Sequence, residues 1–180
     1  MKKRDFLLTV AAGSMGLALP GMAFSQEKKP GAKAPAVKPP AVYTLQGVDV
    51  DGKAINLQES LGKACLVSFF TAECIPCTND LRLMREFFGA NRSKNYINIG
   101  VNMDQDRQAI ADYMALVRKA IPVEQHFPIA WRNAKGHNDN FGAMTSEPTH
   151  FVLDKEHKLV MRRNGVFRPT DWDELWTNLQ

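Results

Sequence analysis

The sequence predicts an α/β domain with a mixed central sheet flanked by helices and an N-terminal β-hairpin extension. Three observations carry that prediction. Apolar runs alternate with stretches of helical periodicity through the middle of the chain, the pattern of a parallel sheet core with right-handed crossovers. The run "ACLVSFF", Ala64 to Phe70, is continuously apolar, as a strand covered on both faces must be. Hairpin signals stand near both ends of the domain and add antiparallel strands to the parallel core.

In chain order, "VDVDGKAINL" alternates apolar and polar residues around Asp51-Gly52 and reads as the first hairpin. The buried strand follows Gly62-Lys63. Pro76 sits near a helix start, where its missing N–H leaves no bond unmade, and Leu81, Met84, Phe87 and Phe88 give that helix an apolar face. "YINIGVNMD" is the next strand, with Ile97, Ile99 and Val101 on one side. Ile110, Tyr113, Met114, Val117 and Ile121 mark a long amphipathic helix. "FPIAWRN" reads as a short strand, "NDNFGAM" as a helical turn or loop, and "THFVLDKEHKLVMRR" as a second hairpin. The last helix has Trp172, Leu175, Trp176 and Leu179 at helical spacing, with Thr170 as its cap and Asp173 assisting.

The first residues read as an address. Lys2, Lys3 and Arg4 precede an apolar stretch from Phe6 to Leu19, and Ala23-Phe24-Ser25 fits a small-x-small cleavage site. Residues 1–25 are therefore assigned as an export signal peptide, of Sec type or, from "KRDFL", twin-arginine-like with Lys3 in the first arginine position. The expected location is the periplasm or another extracytoplasmic space. Residues 26–41, rich in Pro, Ala and Lys, lack the apolar surface to offset chain entropy and read as a linker. Residues 42–180 form the folded domain.

The formal charge of +4 is misleading as a hint of nucleic acid. Residues 1–41 carry seven Lys/Arg against two Asp/Glu, and residues 42–180 carry sixteen against seventeen. The domain is thus close to neutral, and no basic stripe argues for phosphate contacts.

Function turns on "FFTAECIPCTND", residues 69–80, which holds two of the three cysteines. Four chemistries compete for Cys74 and Cys77. A structural disulfide suits an oxidising compartment, but so short a loop gains little chain entropy. A structural zinc site needs four ligands, and His126, His137, His150 and His157 are scattered without an HxxxH pair. A copper or peptide carrier using the pair as ligands is the remaining binding role, with the methionines as further soft donors. A thiol peroxidase would use Thr71-Ala72-Glu73-Cys74 as a Thr-x-x-Cys motif, although Val67 stands where the proline of that motif is expected. Thiol–disulfide exchange fits the physics best. Cys74 lies at a helix N-terminus, which favours a thiolate, and Cys77 is one turn further in, placed to resolve a mixed disulfide. Lowering a thiol pKa from about 8.5 to about 7 raises the thiolate fraction roughly 15-fold at neutral pH, but lost nucleophilicity returns roughly 5-fold. The larger effect of the helix end is on leaving-group quality and reduction potential. The third cysteine, Cys65, falls inside the buried strand and reads as an inert small hydrophobe.

At this point the chain resembles the TlpA/ResA-like group of exported thiol–disulfide oxidoreductases, which have a thioredoxin fold. The resemblance covers residues 42–180 and rests on "DGKAINLQESLGKACLVSFFTAECIPC", "INIGVNMD" and "SEPTHFVLDKEHKLV" in that order. It implies a redox-active Cys74–Cys77 disulfide with no other cofactor and no metal, and a cis-proline at Pro148 facing the pair. It also makes Glu147 and Thr149 substrate-side residues, beside a backbone that pairs with an extended client. Ile75-Pro76 between the cysteines is closer to reductase-like members than to strong oxidants. Implied partners are protein clients with thiols or disulfides, such as apocytochrome c in cytochrome c biogenesis or copper-site cysteines. A membrane thiol reductase would supply electrons to the monomer. The sequence departs from the group's pattern at four places. Glu73 replaces the aromatic residue before the first cysteine. Ser68 stands where a buried acid or Asn is usual, which leaves no buried proton acceptor there. Arg82 replaces a kinking proline, with Asp80 beside it at the position of a glutamate that assists proton transfer, or else serving as a first-turn acid for the helix dipole. Phe70 replaces a tryptophan and keeps an aromatic wall. His150, two residues beyond Pro148, reads as a strand-face histidine.

Overall fold

The computed structural model describes residues 39–179; the predicted export signal and residues 26–38 of the predicted linker lie outside them. The elements are β1 (Leu45–Val48), β2 (Ala54–Asn56), β3 (Ala64–Phe70), α1 (Ile75–Ala90), β4 (Tyr96–Asn102), α2 (Arg107–Ala120), β5 (Ile129–Trp131), β6 (Asn138–Asp139), β7 (Thr149–Leu153), β8 (Leu159–Asn164) and α3 (Pro169–Thr177). Among the described residues no helix is long and apolar enough to cross a membrane.

The central sheet has the order β5-β4-β3-β7-β8. Strands β3, β4 and β5 run parallel, joined by α1 and α2 as crossovers, while β7 and β8 add antiparallel partners. The mixed sheet expected from the sequence is therefore present. β3 lies at its centre, and all seven of its residues are buried, which is what its uninterrupted apolar run requires.

The two faces of this sheet are covered differently. All three helices pack on one face, where Leu66, Phe70 and Val152 meet Leu81 and Met84 of α1, Ile110 of α2 and Leu175 of α3. The other face is covered by a small antiparallel sheet, β2-β1-β6, with Tyr43, Leu45 and Ile55 packed on Phe69, Phe151 and Val101. Burying each such side chain contributes about 1.5–3 kcal/mol, so the two apolar faces together dominate the stabilisation. Gly52 turns the first hairpin with φ of 84°, a conformation open mainly to glycine. Gly100 in β4 leaves room for the Phe70 ring, since a Cβ there would come within 3.2 Å of it and 2.9 Å of Ile129.

Two local expectations are corrected. The segment 138–144 is loop from residue 140 onward, as one of its two readings had it, but Asn138 and Asp139 pair with Gln46 and Leu45 as β6. Two residues carry no periodicity, so the strand could not be seen in the sequence. Its anchor is the Asp139 carboxylate, held by Arg132, His137 and the Phe141 N–H. The last helix does not start at Thr170. Pro169 takes the first helical position and Asp171, not Asp173, closes the cap by accepting the Arg168 N–H at 2.7 Å. Asp171 also pairs with Arg163 of β8, which lowers its carboxyl below the usual range and fixes α3 to the sheet.

Candidate active site

β3 ends at Phe70, and the chain turns through Thr71–Cys74 into α1. Cys74 is the N-cap residue: its backbone is extended, and its sulfur accepts the Cys77 N–H at 3.2 Å. Pro76 sits within the first turn, as the sequence indicated. Cys74 and Cys77 form a disulfide with a Cα–Cα distance of 5.2 Å. Cys74 is half-buried and Cys77 only 1% exposed, so an incoming sulfur can reach Cys74 alone.

The peptide bond Glu147–Pro148 is cis. Around it, most of the backbone is already engaged. The Pro148 carbonyl accepts the Gly165 N–H at 2.7 Å, and Thr149 is paired to Phe69 on one side and Asn164 on the other. The Thr149 side chain is fully buried and donates to the Ser146 carbonyl at 2.6 Å, so it presents no group to a client. Glu147 is exposed, and among the described residues no hydrogen bond engages its backbone. Its carboxylate accepts from the Thr71 hydroxyl at 2.6 Å, linking the proline loop to the loop before Cys74. That bond commits Thr71 to Glu147 rather than to the Cys74 sulfur. Glu73 is exposed. A like charge at about 4 Å in water costs about 1 kcal/mol, and a helix terminus contributes about 0.3–1 kcal/mol, so a carboxylate that close to the sulfur is on the scale of what a helix start offers a thiolate.

Beneath the disulfide, two expectations change. Asp80 is not a first-turn acid. It lies in the second turn of α1, 2% exposed, with Oδ2 accepting the Phe167 N–H at 2.8 Å and facing His150 Nε2 at 3.2 Å. Nor does the interior lack a proton acceptor because Ser68 is neutral. The register of β7 on β3 sets His150 opposite Ser68, and the Ser68 hydroxyl lies 3.0 Å from His150 Nδ1 and 3.2 Å from Met84 Sδ. A buried Asp80–His150–Ser68 chain thus occupies that space. Burial pushes the His150 ring below the usual histidine range, against the pull of Asp80. His150 is the residue the sequence reading undervalued. Its signal was the two-residue period of β7, which turns His150 and Val152 to the same face as the helices.

The structure also places the remaining residues singled out in the sequence. Phe70 is buried and packs on Tyr113 with ring centroids 5.5 Å apart, an aromatic wall behind the site. Cys65 is fully buried on the opposite face, and burial pushes its thiol up to about 12. Arg82 is exposed and pairs with Glu86 one turn on. Ile75 between the cysteines is 85% exposed. It borders a groove of about 640 Å³ between α1 and α2, lined also by Leu116, Val117 and Ile121.

Comparison with known proteins places this arrangement. The chain is 25% identical over 164 residues to the thiol-disulfide oxidoreductase ResA of Bacillus cereus, covering 90% of this chain and 86% of that protein. It is 24% identical over 176 residues to the sporulation thiol-disulfide oxidoreductase A of Bacillus subtilis, covering 95% and 96%. Among solved structures, a thioredoxin family protein of Chlorobium tepidum aligns with a TM-score of 0.63 and 22% identity, over 80% of this chain and 99% of that one. The crystal structure of StoA from Bacillus subtilis aligns with a TM-score of 0.57 and 22% identity, over 77% and 99%. These neighbours have the thioredoxin fold expected from the sequence. The AhpC/TSA family model matches residues 30–162, and the chain belongs to that family.

Proposed function

We propose that the protein is an exported thiol–disulfide oxidoreductase that reduces protein disulfides outside the cytoplasm. The observation that carries this reading is the asymmetry of the Cys74–Cys77 disulfide, one sulfur open at a helix start and the other closed beneath it. In the reduced protein, Cys74 thiolate attacks one sulfur of a client disulfide. A Cys74–client bond forms, the client bond breaks, and the released client sulfur takes a proton. Cys77 then loses its proton and attacks Cys74, which closes the protein's own disulfide and frees the second client sulfur. Two electrons pass to the client, and no group beyond the cysteine pair is needed.

Several features support the details. The names of the relatives support the reaction class. Glu147 is the part of the proline loop with free backbone, so an extended client pairs there. Asp80, one turn of helix beyond Cys77, takes the resolving proton. Glu73 favours the reductive direction: an acid that destabilises the Cys74 thiolate destabilises the reduced form, and a less stable reduced form is a stronger reductant. The signal-like residues 1–25 support export, with a membrane thiol reductase as electron donor to the monomer. Clients of the apocytochrome c or copper-site type fit this reading.

The reduction potential of the pair in a glutathione redox series tests it. A value near about −270 mV is expected; a value near about −120 mV reverses the direction, and a pair that never closes removes the exchange reading.

A further inference from the structure

Ser68 has one O–H and two neighbours for it. Turned toward His150 Nδ1 at 3.0 Å, it serves a neutral ring whose Nε2–H donates to Asp80. Turned toward Met84 Sδ at 3.2 Å, it leaves its oxygen free to accept an Nδ1–H. The ring then carries two protons, one donated to Asp80 and one to Ser68. The same four side chains therefore hold either of two proton counts, and neither arrangement strands the imidazole, the carboxylate or the hydroxyl without a partner. All four are buried: Ser68, Met84, His150 and Asp80 are 0%, 0%, 1% and 2% exposed. A buried polar network with no water to fall back on is costly whenever one member loses its partner. A hydroxyl that rotates between a ring nitrogen and a thioether removes that cost from both states.

We infer that His150, with Ser68 as a rotating hydroxyl, transiently takes up the proton that Cys77 gives up through Asp80 during resolution of the mixed disulfide. The inference rests on the oxidoreductase reading above. The proton leaves the Cys77 sulfur for the Asp80 carboxylate, which lies about 5–6 Å away by Cβ on the same helix face. The Asp80–His150 pair gains one proton as Ser68 swings to Met84. Cys77 thiolate forms the bond to Cys74, and the departing client sulfur takes a proton from solvent. The proton passes on to solvent once the protein's disulfide has closed, which leaves the ring neutral, and Cys77 is reprotonated when the disulfide is next opened.

The groups facing His150 fit a ring that rests neutral. Asp80 approaches from α1 and Ser68 from β3, and the Phe167 N–H ties Asp80 in place. From β8 and α3, Arg163 and Asp171 act on the ring with opposite signs, and they pair with each other at 2.7 Å, so they present little net charge. Burial then decides: with the disulfide closed it holds the ring below the usual histidine range, the state in which the proton has already moved on.

Reaction of the reduced full chain with 5,5′-dithiobis(2-nitrobenzoate), followed by stopped flow from pH 5 to 9, separates the steps. The first nitrothiobenzoate released reports attack by Cys74, the second resolution by Cys77. In His150→Gln the second phase is expected to slow about tenfold at pH 7, and its pH midpoint to rise by about one unit, with the first phase within about twofold of the parent. Met84→Leu keeps the volume and removes only the second acceptor of the hydroxyl; it is expected to slow the second phase about threefold, and it carries the test if His150→Gln does not fold. A second phase with unchanged rate and pH profile in the folded variants overturns the inference. A parent chain that shows no second release at all overturns the oxidoreductase reading instead.

Discussion

On the hairpin face of the central sheet, Cys65 lies 3.5 Å from His157 Nε2 and 3.8 Å from Ser60 Oγ. On the helix face, Cys77 lies one turn of α1 from Asp80, which faces His150, itself next to Ser68. Both faces thus pair a cysteine, a buried histidine and a serine. They differ in what surrounds the sulfur. Cys65 is the second residue of β3, fully buried and not at a helix N-terminus, and burial pushes its thiol up to about 12. Cys77 is as deeply buried, but it is bonded to a partner at a helix start that reaches the surface. A neighbouring imidazole does not by itself make a reactive thiol. Access to an attacking sulfur and a preformed helix terminus do.

The sharpest way to break this contrast is to delete one sulfur from each face. Cys74→Ser is expected to reduce turnover of a protein disulfide to the background rate. Cys65→Ala is expected to leave turnover within about twofold, with any loss confined to stability. Slowed exchange in Cys65→Ala would give the hairpin face a part in the chemistry. A gentler comparison uses alkylation of the reduced, folded protein at pH 8, read by peptide mass spectrometry. A thiol near 12 carries so little thiolate that, after allowing for its higher intrinsic nucleophilicity, Cys65 should react roughly 50-fold more slowly than an ordinary thiol, and burial slows it further. Comparable labelling of Cys65 and Cys74 would show that the hairpin face opens.

The smallest effect is shared by the faces. Burial depresses both His150 and His157 below the ordinary value of 6.5. The unfolded chain therefore takes up protons first as the pH falls. Stability from these rings is complete above about pH 6.5 and is lost below it, until the folded-state values are reached. Each ring contributes a slope of at most about 1.4 kcal/mol per pH unit. Urea midpoints between pH 8 and pH 5 should fall with pH, and the fall should be smaller in His157→Gln. A flat profile would mean that neither ring is buried neutral.

The order of elements was legible in the sequence, because β3, α1, β4 and α2 each show their own period. The cysteine pair was legible because Cys-x-x-Cys with Pro76 marks a helix start. What could not be read depended on register. Nothing in "THFVL" says that His150 falls opposite Ser68 until β7 is laid antiparallel on β3. Asp80 reads either as a proton-transfer acid or as a first-turn acid, and helical spacing alone does not tell that Phe167 will offer it an N–H from a distant loop. β6 was missed for a related reason: its two residues are held by the side chains around Asp139 and not by a pattern of their own. The covering of one sheet face by the hairpin was equally a matter of topology.

Ile75 has a consequence for how clients are chosen. It is an aliphatic side chain, 85% exposed, fixed between the two sulfurs and continuous with the apolar groove above α1. Water ordered around that rim is released whenever a client covers the disulfide. Recognition of this kind strengthens on mild warming and in sulfate, and it is largely indifferent to screening by sodium chloride. Under the proposed function, selectivity would fall to the shape and apolarity of the segment flanking a client's cysteine, which unfolded or partly folded chains display and finished proteins hide.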